Sequence, residues 1–207
     1  MAIAERGLAS PTRSAEQEWT PPPYRWTRER FHQAGEARAF EGQRVILIEG
    51  EIVIMPPVGD LHCGVVTLAS EVLRSVFGEG FFVREEKPFD VGKATDPQPD
   101  VAVVAGTIRD YLNKGLTEAA LIVEVSDSTL PYDRSGKASL YASANVADYW
   151  IINLDHEPAQ VEVHRHPVPD ETQRHGFGYA QRTIHKSGEI IQPLAAPKPV
   201  AVSLLLP

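Results

Sequence analysis

The stretch that decides the fold is Leu121-Ile122-Val123-Glu124-Val125, in which one carboxylate stands inside an apolar run. A run of this kind, bounded by polar residues, predicts a strand that is buried on both faces of a sheet. A lone buried carboxylate is costly unless it is paired, hydrogen-bonded or bound to a metal. The sequence therefore requires a partner for Glu124.

Three polar residues outside this stretch are candidates for that partnership. Asp100 opens a second apolar run, and Lys137 lies in a downstream segment of helical character, with Tyr141 one helical turn later on the same face. Carboxylates from adjacent strands can hold Mg²⁺, and a nearby lysine can orient or deprotonate a water and counter phosphate charge. The pattern indicates a metal-dependent site for cleaving phosphodiesters.

Each of these residues also has an ordinary structural explanation. Asp100 can simply open a strand after a proline, and Glu124 can pair with a core arginine or lysine. Lys137 can be a solvated helix residue, because lysine is mostly exposed in folded proteins. The three together are more specific than any one of them, but spacing alone leaves catalysis and structure as open alternatives.

The length and composition of the chain limit its possible architecture. The chain has 207 residues, of which 43% are hydrophobic and 23% charged, and this predicts a single domain over residues 24–207. Residues 1–23 are rich in Ser, Thr, Glu, Gln and Pro and are predicted to form a flexible tail.

The formal net charge of −8 argues against broad, sequence-independent nucleic-acid binding. It does not exclude a nuclease, because metal-binding carboxylates are themselves acidic.

The single cysteine, Cys63, excludes an internal disulfide framework and favours a reducing compartment. No apolar stretch approaches membrane-spanning length, and the N-terminus lacks the layout of a secretory signal. We therefore expect a cytoplasmic protein with no membrane partner.

Periodicity and turn residues predict an α/β or α+β fold, with a mixed central sheet flanked by helices. The predicted helices are Arg28 to about Phe40, Leu61–Phe77, and a helix capped by Asp133 or Ser135 that ends near Ala144. The predicted strands are an N-terminal hairpin over Arg44–Met55, then Phe81–Val91, Asp100–Ala105, Ala120–Val125, Asp148–Asn153, Gln160–His166 and a C-terminal hairpin through Gly176 and Gly178.

The ordered set of motifs resembles the Uma-type restriction-endonuclease-like family of bacteria, within the PD-(D/E)XK nuclease superfamily. The matching pieces lie between Tyr24 and Asn153, and they are Arg44–Met55, Gln98-Pro99-Asp100-Val101, Leu121–Ser126, Asp133–Lys137, Leu140-Tyr141-Ala142 and Asp148–Ile152.

The resemblance implies a restriction-endonuclease-like core that hydrolyses DNA with Mg²⁺ or Mn²⁺. It implies that Asp100 is the aspartate of the PD motif and Glu124 the acid of the (D/E)XK motif, and that both bind metal and are catalytic. Ser126 stands where that motif has its lysine. Lys137, on the following helix, is the expected catalytic replacement.

The resemblance also extends to residues around this triple. Glu51 would be a further metal ligand, the alternative being an exposed glutamate next to a turn. His62 matches a histidine found in family members and, with Tyr141, is a possible substrate contact; its alternative is an ordinary residue at a helix start. The superfamily analogy further implies a homodimer, because restriction-type nucleases pair subunits to cut two strands.

Two other functions remain open at this stage. A catalytically inactive nuclease-fold module, acting in binding or regulation, is favoured by the acidic net charge and by the missing strand lysine. A structural zinc protein could use His164 and His166, which share one face of a strand. The zinc hypothesis is weak, because structural sites need four ligands, and the plainer expectation for this pair is a solvent-facing edge.

Overall fold

The structure, a computed structural model, describes residues 21–55 and 57–207. The predicted tail therefore lies outside the described residues, apart from Pro21, Pro22 and Pro23, which are exposed and have no regular secondary structure. Among the described residues, no helix has both the length and the apolar content needed to cross a membrane.

A six-stranded mixed sheet organises the fold, in the order β3-β4-β5-β6-β7-β8. Strands β5 and β6 are parallel, and all other neighbouring strands of this sheet are antiparallel. This architecture confirms the predicted fold class. The strands are β3 (Phe81–Glu85), β4 (Val101–Ala105), β5 (Leu121–Ser126), β6 (Asp148–Asn153), β7 (Gln160–Pro169) and β8 (Phe177–Lys186).

Strand β5 lies inside the sheet, and all six of its residues are buried. It runs antiparallel to β4, with Val101 opposite Val123. One step further along this register, Asp100 comes opposite Glu124. The apolar runs thus determine the strand pairing, and the pairing brings the two acids together.

Helices cover both faces of the sheet. On one face, α2 (Asp60–Phe77) buries an apolar stripe that includes Val65, Ala69 and Leu73 against β3, β4 and β5. On the other face lies a continuous helical segment, residues 130–143, whose Tyr141 packs against Tyr149 of β6. This segment consists of a short α3 (Leu130–Tyr132), a π-turn (Asp133–Lys137) and α4 (Ala138–Ser143).

The remaining elements lie at the periphery. The predicted N-terminal hairpin is confirmed, with a turn at Glu49-Gly50. Near the C-terminus, after β7 and β8, two short strands form a separate two-stranded sheet. These peripheral elements are α1 (Arg28–Glu36), β1 (Val45–Ile48), β2 (Glu51–Ile54), β9 (Ile190–Ile191) and β10 (Val200–Ala201).

Two predicted ends are wrong because backbone conformation intervenes. Helix α1 stops at Glu36 instead of near Phe40, and Arg38 then adopts a left-handed φ of 60°. Strand β3 stops at Glu85 instead of Val91. Glu86 has a φ of 49°, and Pro88 has no N–H to donate to a ladder.

The predicted start of the third helix is also wrong. Helical structure begins at Leu130, because Pro131 is tolerated in the first turn, where its missing N–H is not needed. Asp133 and Ser135 therefore lie inside the helical segment and do not cap it.

His164 is not on a solvent-facing edge. Strand β8 pairs along the outer side of β7, so β7 is an interior strand, and His164 is buried beside Tyr149 and Tyr179.

Candidate functional site

The two acids of the predicted site lie side by side at the end of β5. The N–H of Val125 donates to Asp100 Oδ2 at 2.7 Å, and the N–H of Asp100 lies 3.4 Å from Glu124 Oε2. Glu124 is fully buried, whereas the side chain of Asp100 is 10% exposed. Backbone groups of each strand thus fix the acid of the other.

Lys137 and Tyr141 reach Glu124 from the helical segment. Lys137 Nζ lies 3.0 Å from Glu124 Oε2, and the Tyr141 hydroxyl donates to Glu124 Oε1 at 2.6 Å. The structure therefore brings Asp100, Glu124 and Lys137 together across three elements. Tyr141 is fully buried, so its hydroxyl holds Glu124 in place from the interior of the protein.

Asp133 is a member of this cluster that sequence reasoning missed as a functional residue. Its Oδ1 lies 2.9 Å from Lys137 Nζ, and the Thr129 hydroxyl donates to its Oδ2 at 2.6 Å. Asp133 and Lys137 are four residues apart, a spacing that could have indicated a pair on one helix. The π-turn between them places Lys137 between two carboxylates.

A cleft opens above the cluster, and Asp100 and Lys137 form part of its floor. Its cavity volume is about 90 Å³. Since each water takes about 30 Å³ in the liquid, the cleft can hold about three waters. The remaining walls come from the N-terminal hairpin (Arg44, Ile46, Ile48, Met55), the start of α2 (Val58, Gly59, His62), the loop before β4 (Pro97, Gln98) and the segment after β5 (Asp127, Ser128, Thr129, Tyr132, Leu140).

The charges of the cluster are unbalanced. Burial raises the pKa of Glu124 to about 8, against the pull of Lys137. Burial also opposes the charged form of Lys137, but the carboxylates of Glu124, Asp133 and Asp100 outweigh it and raise the pKa of the lysine. For Asp100, the effect of burial is outweighed by His62, Lys137 and the Val125 N–H, which together lower its pKa. One ammonium thus lies among three carboxyl groups, and a pKa of about 8 keeps Glu124 mostly protonated at neutral pH in the metal-free protein.

His62 projects from the start of α2 toward Asp100. Its Nε2 lies 3.4 Å from Asp100 Oδ1 and makes no hydrogen bond, although the atom is buried. The Asp100 carboxylate raises the pKa of His62 despite partial burial. His62 lines the cleft, so it can contact a molecule bound there.

Glu51 lies apart from the acid pair in the described structure. It stands opposite Ile48 in the hairpin, and Ile48 lines the cleft, so Glu51 is on the cleft face. Its side chain is 61% exposed and forms an ion pair with Arg25.

The donor set of the cluster fits a hard divalent cation. Among the described residues, no group of three or more His, Cys, Asp or Glu side chains is arranged to hold a metal. Mg²⁺ needs fewer protein ligands than that, because it keeps several of its waters and often binds through one or two carboxylates. Asp100 and Glu124 supply such a pair, the cleft has room for the waters, and the surplus negative charge favours a cation.

Tyr132 forms a cleft wall whose position depends on Gly136. A Cβ added at Gly136 would lie 2.3 Å from Tyr132 Cε2. The tyrosine ring thus packs directly on the glycine of the π-turn. Burial raises the pKa of Tyr132, and the charges of Lys137 and Arg174 oppose that shift.

We expect Gly136→Ala to lower the free energy of unfolding by about 1–3 kcal/mol, because the added methyl must displace the Tyr132 ring. The matched control is Gly64→Ala in α2, where an added Cβ meets nothing within 4 Å. That change should stabilise the protein by about 0.5–1 kcal/mol. Urea unfolding of the two variants measures the contrast, and equal effects would contradict this role of Gly136.

The cleft is flanked by two hairpin turns that contact each other. Glu49, in the β1–β2 turn, accepts two hydrogen bonds from Arg174 of the β7–β8 turn, from Nε at 3.1 Å and from Nη2 at 2.8 Å. His175 Nδ1 lies 3.4 Å from the same carboxylate. The hydrogen bonds from Arg174 lower the pKa of Glu49, so its carboxylate is ionised at neutral pH.

Comparisons with known proteins agree with this picture. The sequence model of the Uma2 family, described as "Putative restriction endonuclease", matches residues 28–200. A similar solved structure comes from Anabaena variabilis and is described as a "putative nuclease belonging to DUF820". The two chains are 17% identical, with a TM-score of 0.57 over 79% of this chain and 89% of the other. A sequence comparison with curated proteins finds no match.

Proposed function

Since the chain belongs to the Uma2 family, we propose that it is a Mg²⁺-dependent endonuclease that hydrolyses phosphodiester bonds of DNA. Family and fold are both those of restriction-endonuclease-like nucleases. The observation that carries the finer proposal is the meeting of Asp100, Glu124 and Lys137, since Asp100 and Lys137 reach the floor of a cleft with room for several waters and both contact the buried Glu124.

Asp100 and Glu124 would hold the metal ion in this proposal. When bound, Mg²⁺ (or Mn²⁺) supplies charge cancellation at the phosphate and makes a water more acidic. The protein keeps the two acids in place by strand pairing, by the Val125 N–H and by the Tyr141 hydroxyl. This rigid support matters because small displacements of catalytic groups cost large factors in rate.

Lys137 would act mainly as a fixed positive charge. Its ammonium is held between Glu124 and Asp133, and the surrounding carboxylates keep it protonated. A protonated lysine can orient a water and counter the charge of the phosphate, but it cannot accept a proton. His62, at the cleft side of Asp100, would contact the substrate phosphate.

The test is cleavage of supercoiled plasmid and of single-stranded DNA by the purified chain. We expect cutting with Mg²⁺ or Mn²⁺ and none in excess chelator, because the two acids alone offer no substitute for the cation. Asp100→Ala, purified identically, controls for contaminating nucleases. Equal cutting by wild type and Asp100→Ala, or cutting that persists in chelator, would contradict the proposal.

An inactive binding or regulatory module is the second candidate. The observation that favours it is the complete burial of Glu124, which both Tyr141 and Lys137 already engage. Calorimetry showing Mn²⁺ binding that Glu124→Gln removes, without cleavage of any nucleic acid, would support this candidate. Homodimer formation and a cytoplasmic location stay proposals, the first by analogy with the superfamily and the second from the sequence.

A further inference from the structure

We propose that Arg174 forms a binding site for a backbone phosphate of DNA at the rim of the cleft, and that Glu49 occupies this site in the free protein. The inference rests on the proposed nuclease function. It adds Arg174 as a substrate-binding residue and Glu49 as a group within the protein that competes with the substrate for Arg174. Neither residue belongs to the acid cluster around Glu124.

Arg174 lies between two elements that line the cleft, where a DNA strand bound over Asp100 would pass. Its partner Glu49 directly follows Ile48, and its neighbour His175 donates to Ser139, which directly precedes Leu140; both Ile48 and Leu140 line the cleft. A phosphate next to the one held over Asp100 would therefore pass close to the Arg174 guanidinium.

The geometry of the Arg174 contact is that of anion recognition. Two N–H groups of the guanidinium donate to the two oxygens of one carboxylate. The same planar fork matches two oxygens of a phosphate. The carboxylate of Glu49 thus takes the place that a phosphate would take.

Two hydrogen bonds to and from Ser139 hold in place the β7–β8 turn that carries Arg174. The N–H of His175 donates to Ser139 Oγ at 2.9 Å, and Ser139 Oγ donates to the carbonyl of Phe177 at 2.7 Å. These bonds attach the β7–β8 turn to α4. Arg174 is therefore presented from a fixed base beside the helical segment that carries Lys137.

The cations near the cleft differ in how open they are to a ligand. Two carboxylates enclose Lys137, and Arg44, whose side chain is 35% exposed, pairs with Glu86 at 2.7 Å. The Arg174 and Glu49 side chains, by contrast, are 51% and 37% exposed. An ion pair this open to water is weak, so a phosphate can replace the carboxylate at small cost.

The competitor role predicts a gain of binding when Glu49 loses its charge. In excess chelator, which prevents cutting, we expect Glu49→Gln to bind a fluorescent DNA oligonucleotide about fivefold more tightly than wild type at low salt. The slope of log affinity against log salt should steepen by about one, as for one added phosphate contact. Arg174→Ala should weaken binding and flatten that slope by about one.

The controls separate this site from a general charge effect. Glu71→Gln removes the same charge from an exposed pair with Arg74 on α2, and it should bind like wild type. The double variant Glu49→Gln/Arg174→Ala should bind like Arg174→Ala alone. Fluorescence anisotropy over a salt series measures all five proteins.

Several results would overturn the inference. An equal gain in Glu71→Gln, or a gain from Glu49→Gln that persists without Arg174, would show that net charge alone acts. Identical binding by all variants of a protein that still cuts DNA would remove the Arg174 site and leave the nuclease proposal intact. A wild type that neither binds nor cuts DNA would overturn both.

Discussion

Glu124→Gln is expected to reduce Mg²⁺-dependent DNA cleavage by about a thousandfold or more, because it removes one of the two charged metal ligands. The replacement keeps the shape of the side chain and an oxygen that can accept from the Tyr141 hydroxyl. Lys137 keeps Asp133 as an ion-pair partner in the variant. The loss should therefore be one of chemistry and not of folding.

The measurement is an initial rate of plasmid cleavage at saturating Mg²⁺, alongside a thermal unfolding curve for each protein. Glu71→Gln is the matched control, since it makes the same change at an exposed position on α2. A folded Glu124→Gln variant that cuts at the wild-type rate would reduce Glu124 to a structural ion-pair partner and remove the basis of the proposed mechanism.

Glu162→Gln is expected to destabilise the fold by about 2–3 kcal/mol at neutral pH. The Glu162 carboxylate is fully buried and accepts hydrogen bonds from Arg134 and Arg182. Arg134 belongs to the π-turn and Arg182 to β8, so this one acid joins the two elements. The expected cost lies below that of a fully buried pair, because the two arginines are 35% and 42% exposed.

The same residue should make stability depend on acid pH. Burial opposes the charged form of Glu162, but the His164 ring 3.7 Å away, the hydrogen bonds from Arg134 and the charge of Arg182 hold its pKa well below the ordinary value of 4.5. The ionised Glu162 therefore stabilises the fold fully at pH values above its pKa in the unfolded chain. This stabilisation is lost as the pH falls toward the lower pKa that Glu162 has in the folded protein.

Urea unfolding at a series of pH values tests this dependence. Wild type should lose more unfolding free energy than Glu162→Gln between about pH 6 and about pH 3, so that the two curves converge in acid. Glu71→Gln should follow wild type throughout, because its exposed ion pair contributes little. Parallel curves for wild type and Glu162→Gln would contradict the assigned role of Glu162.

The acid pair was predictable from the sequence because it depends on local pattern. The apolar run around Glu124 forms a buried strand on its own periodicity, and the run after Asp100 needs only a neighbour to pair with. Once β4 and β5 pair antiparallel, their register alone places the two acids opposite each other. The position of Lys137 near them follows from the helix that returns over the sheet.

Other parts of the site depend on contacts that no local pattern contains. Glu49 and Arg174 are 125 residues apart, and only the folded arrangement of two hairpins brings them together. The burial of His164 depends on β8 adding to the sheet outside β7. The role of Asp133 was missed because an aspartate near a helix start is usually interpreted as a cap.

The π-turn has a consequence for how this protein can change over evolutionary time. A π-turn holds one residue more than the α-helical path would need, and each helical residue advances the chain by about 100°. Loss of a single codon within Asp133–Lys137 would restore regular winding and shorten the four-residue spacing at which Asp133 now meets Lys137. Lineages that keep the chemistry should therefore tolerate substitutions in this turn far more readily than changes in its length.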